Sequence, residues 1–271
     1  MNKMNMLLLP GLLNGANLFE HQADVLAEVV GVSIADLSTA DSVAELAKEA
    51  LARAPEGPFV LVGMSMGGYV ALEIMRQAPE RVSALVLMST SARADTREAT
   101  ATRRELVELG KQDFPAVIEK LLAHMAHPEH VNTPEVSGVF HSMATALGYE
   151  VFERQQRAII GRTDSRPTLK DIKCPTLVLC GREDLITPLD DHRELVAGIA
   201  GAQLRIIETC GHLAPLEQPK QVTGILREWL GTLDACRESP GTRRLCCSGQ
   251  EALRHRADAG AVRYDPAATD D

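Results

Sequence analysis

The stretch Phe59-Val-Leu-Val-Gly63-Met-Ser65-Met-Gly67-Gly68-Tyr-Val-Ala-Leu-Glu-Ile-Met75 decides the fold. Four residues of strand character, Phe59 to Val62, run into Gly-Met-Ser-Met-Gly, and an apolar pattern at helical spacing follows at once. A serine at the tip of so sharp a strand-to-helix turn must take a strained backbone conformation. Its neighbours two before and two after then pass so close that a Cβ would clash. Gly63 and Gly67 occupy those two positions, and Gly68 lets the helix start close to the sheet. The Ser65 hydroxyl is thereby held clear of the sheet, over the first amides of a helix whose dipole turns its positive end toward any anion formed there.

Working outward, residues 4–9 read as a short buried strand ended by Pro10-Gly11. A helix follows over residues 18–29, a strand over 30–37 and a second helix over 43–53. After the Ser65 turn and its helix, Val82-Ser-Ala-Leu-Val-Leu-Met88 is a further buried strand. From residue 91 to 167 strand signals vanish and charged helical stretches take over, at 93–109, 114–124 and 142–160. Thr176-Leu-Val-Leu-Cys180 returns to a strand, and a helix (189–199), a strand (203–207) and a last helix (220–233) complete the alternation. Strands alternating with helices, most of them apolar throughout, predict an α/β fold with a mostly parallel sheet covered on both faces. Residues 1–90 and 168–233 form its core, and 91–167 form a helical cap over the carboxyl ends of the strands, where open α/β sheets bind ligands. Residues 234–271 lack apolar periodicity and read as a disordered tail.

The chain has 271 residues, of which 45% are hydrophobic and 24% charged, as expected of a globular protein with a substantial core. A net charge of −9 without a Lys/Arg-rich run argues against nucleic acid and anionic membranes as partners. The apolar run Met6-Leu-Leu-Leu-Pro10 is too short for a signal peptide, and nothing approaches a membrane span, so the expected location is cytoplasmic. The six cysteines form no disulfide framework: Cys174, Cys180 and Cys210 fall in or beside strands, and Cys236, Cys246 and Cys247 in the tail. There is no C-x-x-C, and no metal or cofactor is expected.

The Gly-Met-Ser-Met-Gly turn resembles the G-x-S-x-G nucleophile elbow of the α/β-hydrolase family. The resemblance spans residues 4 to 233. Larger members begin with two strands ahead of the first one seen here, so it implies a sheet of about six strands. It also implies a catalytic acid after a late strand and a histidine after the last. Asp184, in Leu177-Val-Leu-Cys-Gly-Arg-Glu-Asp184-Leu-Ile-Thr-Pro188, matches the family's G-x-x-D-x-x-x-P pattern. Glu183 is adjacent, and Asp190 and Asp191 are assigned to the next helix. His212, in Gly211-His212-Leu-Ala-Pro-Leu-Glu217-Gln-Pro219, resembles the family's G-H-x-x-x-x-E-x-P. A serine hydroxyl needs such a base, and the base needs a carboxylate that fixes its tautomer and stabilises its cation.

The oxyanion hole implied by the family needs two N–H donors. One is the amide of Met66, directly after the nucleophile. The other comes from the loop Leu9-Pro10-Gly11-Leu12-Leu13, where proline replaces the family's usual histidine. Leu12 falls on the donor position, with Leu13 as the fallback.

His124-Met-Ala-His127-Pro-Glu-His130 superficially resembles a metal cluster, but Pro128 interrupts the helix that would align it, and it reads as a solvated cap segment. Arg93, Arg97, Arg103, Arg104, Arg154 and Arg157 would bind an acidic substrate only if several converged.

The resemblance thus implies a cofactor-free serine carboxylesterase acting on small-molecule esters through Ser65, His212 and Asp184. With only 3% aromatic residues, and Leu and Met around the elbow, an aliphatic acyl pocket for small to medium chains is expected. A lactonase or enol-lactonase, an esterase of carrier-bound methyl esters, a C–C bond hydrolase and a perhydrolase remain open, as does a non-catalytic receptor on the same scaffold.

Overall fold

A computed structural model describes residues 3–238. Six strands, β1 (Met4–Leu9), β2 (Val30–Ile34), β3 (Phe59–Met64), β4 (Val82–Met88), β5 (Thr176–Gly181) and β6 (Gln203–Ile207), form one sheet in the order β2-β1-β3-β4-β5-β6. Every neighbouring pair is parallel. Burial follows position. All residues of β3 and β5 are buried and all but one of β4, because helices cover both faces, whereas the edge strands β2 and β6 are mostly half-exposed.

The helices are α1 (Glu20–Leu26), α2 (Val43–Arg53), α3 (Met66–Gln77), α4 (Arg97–Gln112), α5 (Phe114–Met125), α6 (Val139–Ile160), α7 (Leu189–Gly198), the single turn α8 (Ala214–Glu217) and α9 (Pro219–Glu238). Three of these starts are capped by a side chain. The side chains of Ser42, Thr96 and Asp113 accept from the amides of Glu45, Ala99 and Ala116, satisfying donors that the first turns of α2, α4 and α5 leave open. All elements through the first half of α9 belong to one compact unit ending at Trp229. No helix among the described residues is long and apolar enough to cross a membrane.

The strands and helices follow the apolar pattern, with local differences. The helix expected over 18–29 is a 3₁₀ turn (Ala16–Phe19) followed by α1, because Val29, counted in the apolar stripe, is 41% exposed and lies beyond the helix. The second strand stops at Ile34; Leu37 is buried, but in a loop. A π-helical turn (Pro134–Gly138) precedes α6, and α6 itself is broken at Gly148, whose φ of 79° no other residue type adopts readily. The last helix runs to Glu238, five residues past the expected end; the rest of the expected tail, with Cys246 and Cys247, lies outside the described residues.

The segment between β4 and β5 holds α4, α5 and α6. It leaves and returns through a narrow neck, where the Ser165 amide donates to the Ala92 carbonyl at 2.7 Å. Beside it, the buried Asp95 carboxylate accepts from Arg103 at 3.2 Å and Arg162 at 2.7 Å. Burial opposes ionisation of Asp95, but the two guanidiniums outweigh it and hold the carboxyl below its ordinary range.

Register brings the strand ends to one edge. Leu9 pairs with Gly63, Met64 with Met88, and Gly181 with Ile207. The residues just beyond these positions therefore meet along the carboxyl edge of the sheet.

Candidate active site

Ser65 follows β3 and caps α3 with φ 54° and ψ −117°, a left-handed backbone that a non-glycine residue holds only where its surroundings enforce it. The surroundings do so. The Ser65 amide donates to the Met88 carbonyl at 2.9 Å, and its carbonyl accepts from the Thr90 hydroxyl at 2.8 Å and the Gly68 amide at 2.9 Å. A Cβ on Gly63 would run into the Gly67 backbone, one on Gly67 into the carbonyls of Leu9 and Pro10, and one on Gly68 into the Thr90 side chain. Turn, helix and strand are locked together because these positions carry no side chain.

Asp184 and His212 follow β5 and β6. The structure brings both to Ser65: His212 Nε2 lies 2.8 Å from Ser65 Oγ, and His212 Nδ1 lies 2.9 and 2.8 Å from the two oxygens of Asp184. The three residues are 7%, 4% and 0% exposed for Ser65, Asp184 and His212, so the chain of hydrogen bonds runs almost entirely out of water. Asp184 is held further by the Ile186 amide (2.9 Å), the Thr187 amide (2.9 Å) and the Thr187 hydroxyl (2.8 Å). Burial alone would push its carboxyl up. The His212 charge and ring N–H, with the two Thr187 donors, overcome that and hold it below the usual carboxylate range. Nδ1–H then points at Asp184, which leaves Nε2 free to accept the Ser65 proton.

The neighbouring acids have other work. The Glu183 carboxylate accepts from the Cys210 amide at 2.9 Å, tying the β5 and β6 loops together, while Asp190 and Asp191 lie in the first turn of α7.

The loop after β1 abuts the elbow. A Cβ on Gly11 would sit 3.2 Å from Ser65 Cβ and 2.9 Å from Met64 Sδ. Within this loop the Leu13 amide is taken by Gln155 Oε1 at 2.9 Å, with Leu13 itself at φ 55°. The fallback donor is therefore engaged, whereas the Leu12 amide has no hydrogen-bond acceptor among the described residues. The Met66 amide opens α3, where no preceding helical carbonyl can accept it.

A cavity of about 650 Å³ lies between the loop after β1, the turn after Asp184 and helices α4 and α5. Leu12, Leu106, Leu109, Leu121, Met125 and Ile186 give it a largely aliphatic wall. Four of the six arginines considered as an anion site are committed to partners of their own. Arg93 pairs with Glu194, Arg103 with Asp95, Arg157 with Glu153, and Arg154 donates to the Ser38 carbonyl.

Sequence reasoning missed the supports. Thr187 has no motif that separates it from an ordinary turn residue. His192, fully buried, accepts the Thr90 amide on Nε2 at 3.1 Å; burial lowers its imidazole pKa, which keeps that nitrogen an acceptor. The segment 124–130 is not simply solvated, because His127 and His130 both reach the buried Glu217. Among the described residues no group of three or more His, Cys, Asp or Glu could hold a metal ion.

A sequence profile described as the alpha/beta hydrolase family matches residues 9–224. The chain is 29% identical over 193 residues to a 2-hydroxy-6-oxo-6-phenylhexa-2,4-dienoate hydrolase of Comamonas testosteroni, across 63% of this chain and 62% of that one. The match thus spans just under two thirds of that relative's length. Among solved structures, a thermophilic esterase of Thermogutta terrifontis, determined with malate bound, superposes with a TM-score of 0.76 at 28% identity, covering 84% of this chain and 90% of the other. An enol-lactonase of Burkholderia xenovorans LB400 also has a TM-score of 0.76, at 20% identity over 85% and 92% of the two chains, which speaks to the fold alone.

Proposed function

This chain belongs to the alpha/beta hydrolase family, and from that premise we propose that it is a serine hydrolase cleaving carboxylic esters of small to medium acyl chains. The carrying observation is His212, placed 2.8 Å from Ser65 Oγ on one side and 2.8 Å from Asp184 on the other. Ser65 Oγ attacks the ester carbonyl carbon as its proton passes to His212 Nε2, and Asp184 stabilises the resulting imidazolium. The amides of Leu12 and Met66 stabilise the tetrahedral oxyanion. Collapse breaks the C–O bond, and the alcohol leaves with the proton from His212. Water, giving its proton to the same nitrogen, then attacks the acyl-enzyme; the acid departs and Ser65 regains its proton.

The cavity beside Leu12 supports the acyl preference, since most of its wall is methyl and methylene surface, although Arg103, Glu105 and Lys120 also line it. The test is hydrolysis of p-nitrophenyl acetate, butyrate and octanoate, with fluorophosphonate labelling in parallel. Turnover is expected to fall at least about 10³-fold in Ser65→Ala, and labelling to vanish. A folded wild type that neither turns over nor labels would remove the catalytic reading and favour a receptor.

A second reading has its own support. The similarity to a hydrolase of 2-hydroxy-6-oxo-6-phenylhexa-2,4-dienoate favours C–C bond hydrolysis at the same residues. Faster turnover of that dienoate than of any p-nitrophenyl ester would establish it, and faster turnover of a lactone would establish the lactonase alternative.

A further inference from the structure

Glu217 lies in the α8 turn with its side chain fully shielded from solvent. Its Oε2 accepts from the amides of Gly211 (3.0 Å) and His127 (2.8 Å) and from His130 Nδ1 (3.2 Å), and its Oε1 accepts from the Leu213 amide (2.9 Å). Gly211 and Leu213 stand on either side of His212, whereas His127 and His130 belong to the segment that follows α5. A single carboxylate therefore grips the backbone around the proposed base and a stretch of the insertion together.

Two further contacts press the same segments against each other. The His212 amide donates to the Met125 carbonyl at 2.7 Å. A Cβ on Gly211 would stand 2.5 Å from that carbonyl oxygen and 2.7 Å from the His127 amide, so the approach leaves no room for a side chain. Met125 also lines the 650 Å³ cavity. The carbonyl that receives the His212 amide thus belongs to a residue on the cavity wall.

We propose that Glu217 is a positioning residue, whose carboxylate clasps residues 127–130 of the insertion to the backbone on both sides of His212 and so fixes the imidazole between Asp184 and Ser65. Four N–H groups point at it, which suits an anion. An amide in its place has one acceptor oxygen and turns its NH₂ toward at least one of those donors. Through Met125, the seating of the insertion beside the 650 Å³ cavity is coupled to the position of the base. This inference rests on His212 being that base.

The experiment compares the full-length wild type with Glu217→Gln and with His130→Leu, which removes one donor of the four. Two quantities are read: kcat and KM for p-nitrophenyl butyrate, and the low-field proton resonance of the His212–Asp184 hydrogen bond, assigned by its loss in His212→Gln. In Glu217→Gln, kcat falls about 100-fold while KM stays within about threefold, as a misplaced catalytic group predicts. The low-field resonance broadens or disappears in the same folded variant. His130→Leu shifts kcat and the resonance in the same direction, by about tenfold or less in kcat.

A Glu217→Gln protein that melts lower yet keeps its kcat and its resonance would overturn the proposal, because the carboxylate would then only support packing. If that variant does not fold, unchanged kcat and resonance in His130→Leu overturn it instead. If the wild type hydrolyses no ester but its resonance is lost in Glu217→Gln, the clasp stands and the esterase reading fails.

Discussion

Thr187 gives Asp184 two hydrogen bonds, its hydroxyl to Oδ2 at 2.8 Å and its amide to Oδ1 at 2.9 Å, while the same hydroxyl lies 3.4 Å from His212 Nδ1. One threonine thus orients the carboxylate and borders the bond that carboxylate makes to the imidazole. Thr187→Val keeps the shape and the amide and deletes only the hydroxyl. It is expected to lower kcat about tenfold and to cost about 1.5–3 kcal/mol of stability, the range for a hydrogen bond to a charged group.

The same variant has a pH signature. The folded-state pKa of Asp184 lies below its unfolded value, so the carboxylate contributes stability above about pH 3.9 and loses it as pH falls through the folded value. Thr187 is one of the causes of that depression. Thr187→Val therefore moves the acid-unfolding midpoint, followed by circular dichroism, to higher pH. An unmoved midpoint would show that the hydroxyl adds nothing to what His212 and the backbone amides of Ile186 and Thr187 supply.

The cavity predicts chain-length selection. Leu121 lies on its wall and is 8% exposed. Leu121→Trp is expected to cut octanoate turnover at least about tenfold relative to acetate, since each methylene that loses its place is worth about 1–3 kcal/mol. Equal losses on all three esters would place the acyl chain elsewhere.

Gly67 and Gly15 make a matched pair. A Cβ on Gly67 would collide with backbone carbonyls of Leu9 and Pro10, which cannot swing aside, whereas one on Gly15 meets nothing within 4 Å. Urea unfolding should show a loss of about 4 kcal/mol or more for Gly67→Ala and no more than about 0.5 kcal/mol for Gly15→Ala.

What the sequence revealed and what it hid divide along a physical line. Ser65 was marked by the glycines that a sharp turn demands, whereas Asp184 and His212 were singled out by resemblance to the family's G-x-x-D-x-x-x-P and G-H-x-x-x-x-E-x-P patterns. The strands β1, β4 and β6 were legible to the residue, β1 and β4 because buried strands read as nearly continuous apolar runs, and β6, a half-exposed edge, from Leu204, Ile206 and Ile207. Polar pairings made only in the folded chain leave no such trace. Thr187 on Asp184, His192 on the Thr90 amide and His130 on Glu217 join residues whose types are common and whose meeting depends on the packed fold. Gly148 inside α6 was passed over for a related reason, since apolar spacing on both sides continues across the break.

The neck at Ala92 and Ser165 has a consequence for how such a chain diversifies. β4 and β5 are immediate neighbours in the ladder and run parallel, with Leu85 opposite Thr176 and Met88 opposite Leu179, so the chain departs from the carboxyl end of one strand and re-enters at the amino end of the next. Whatever is spliced between them, long or short, leaves the pairing of the sheet intact. Ser65, Asp184 and His212 all lie outside that splice. A different excursion would leave the ladder as it is, but it would have to rebuild the Met125 carbonyl and the His127 amide, which the backbone of residues 211–213 meets directly or through Glu217.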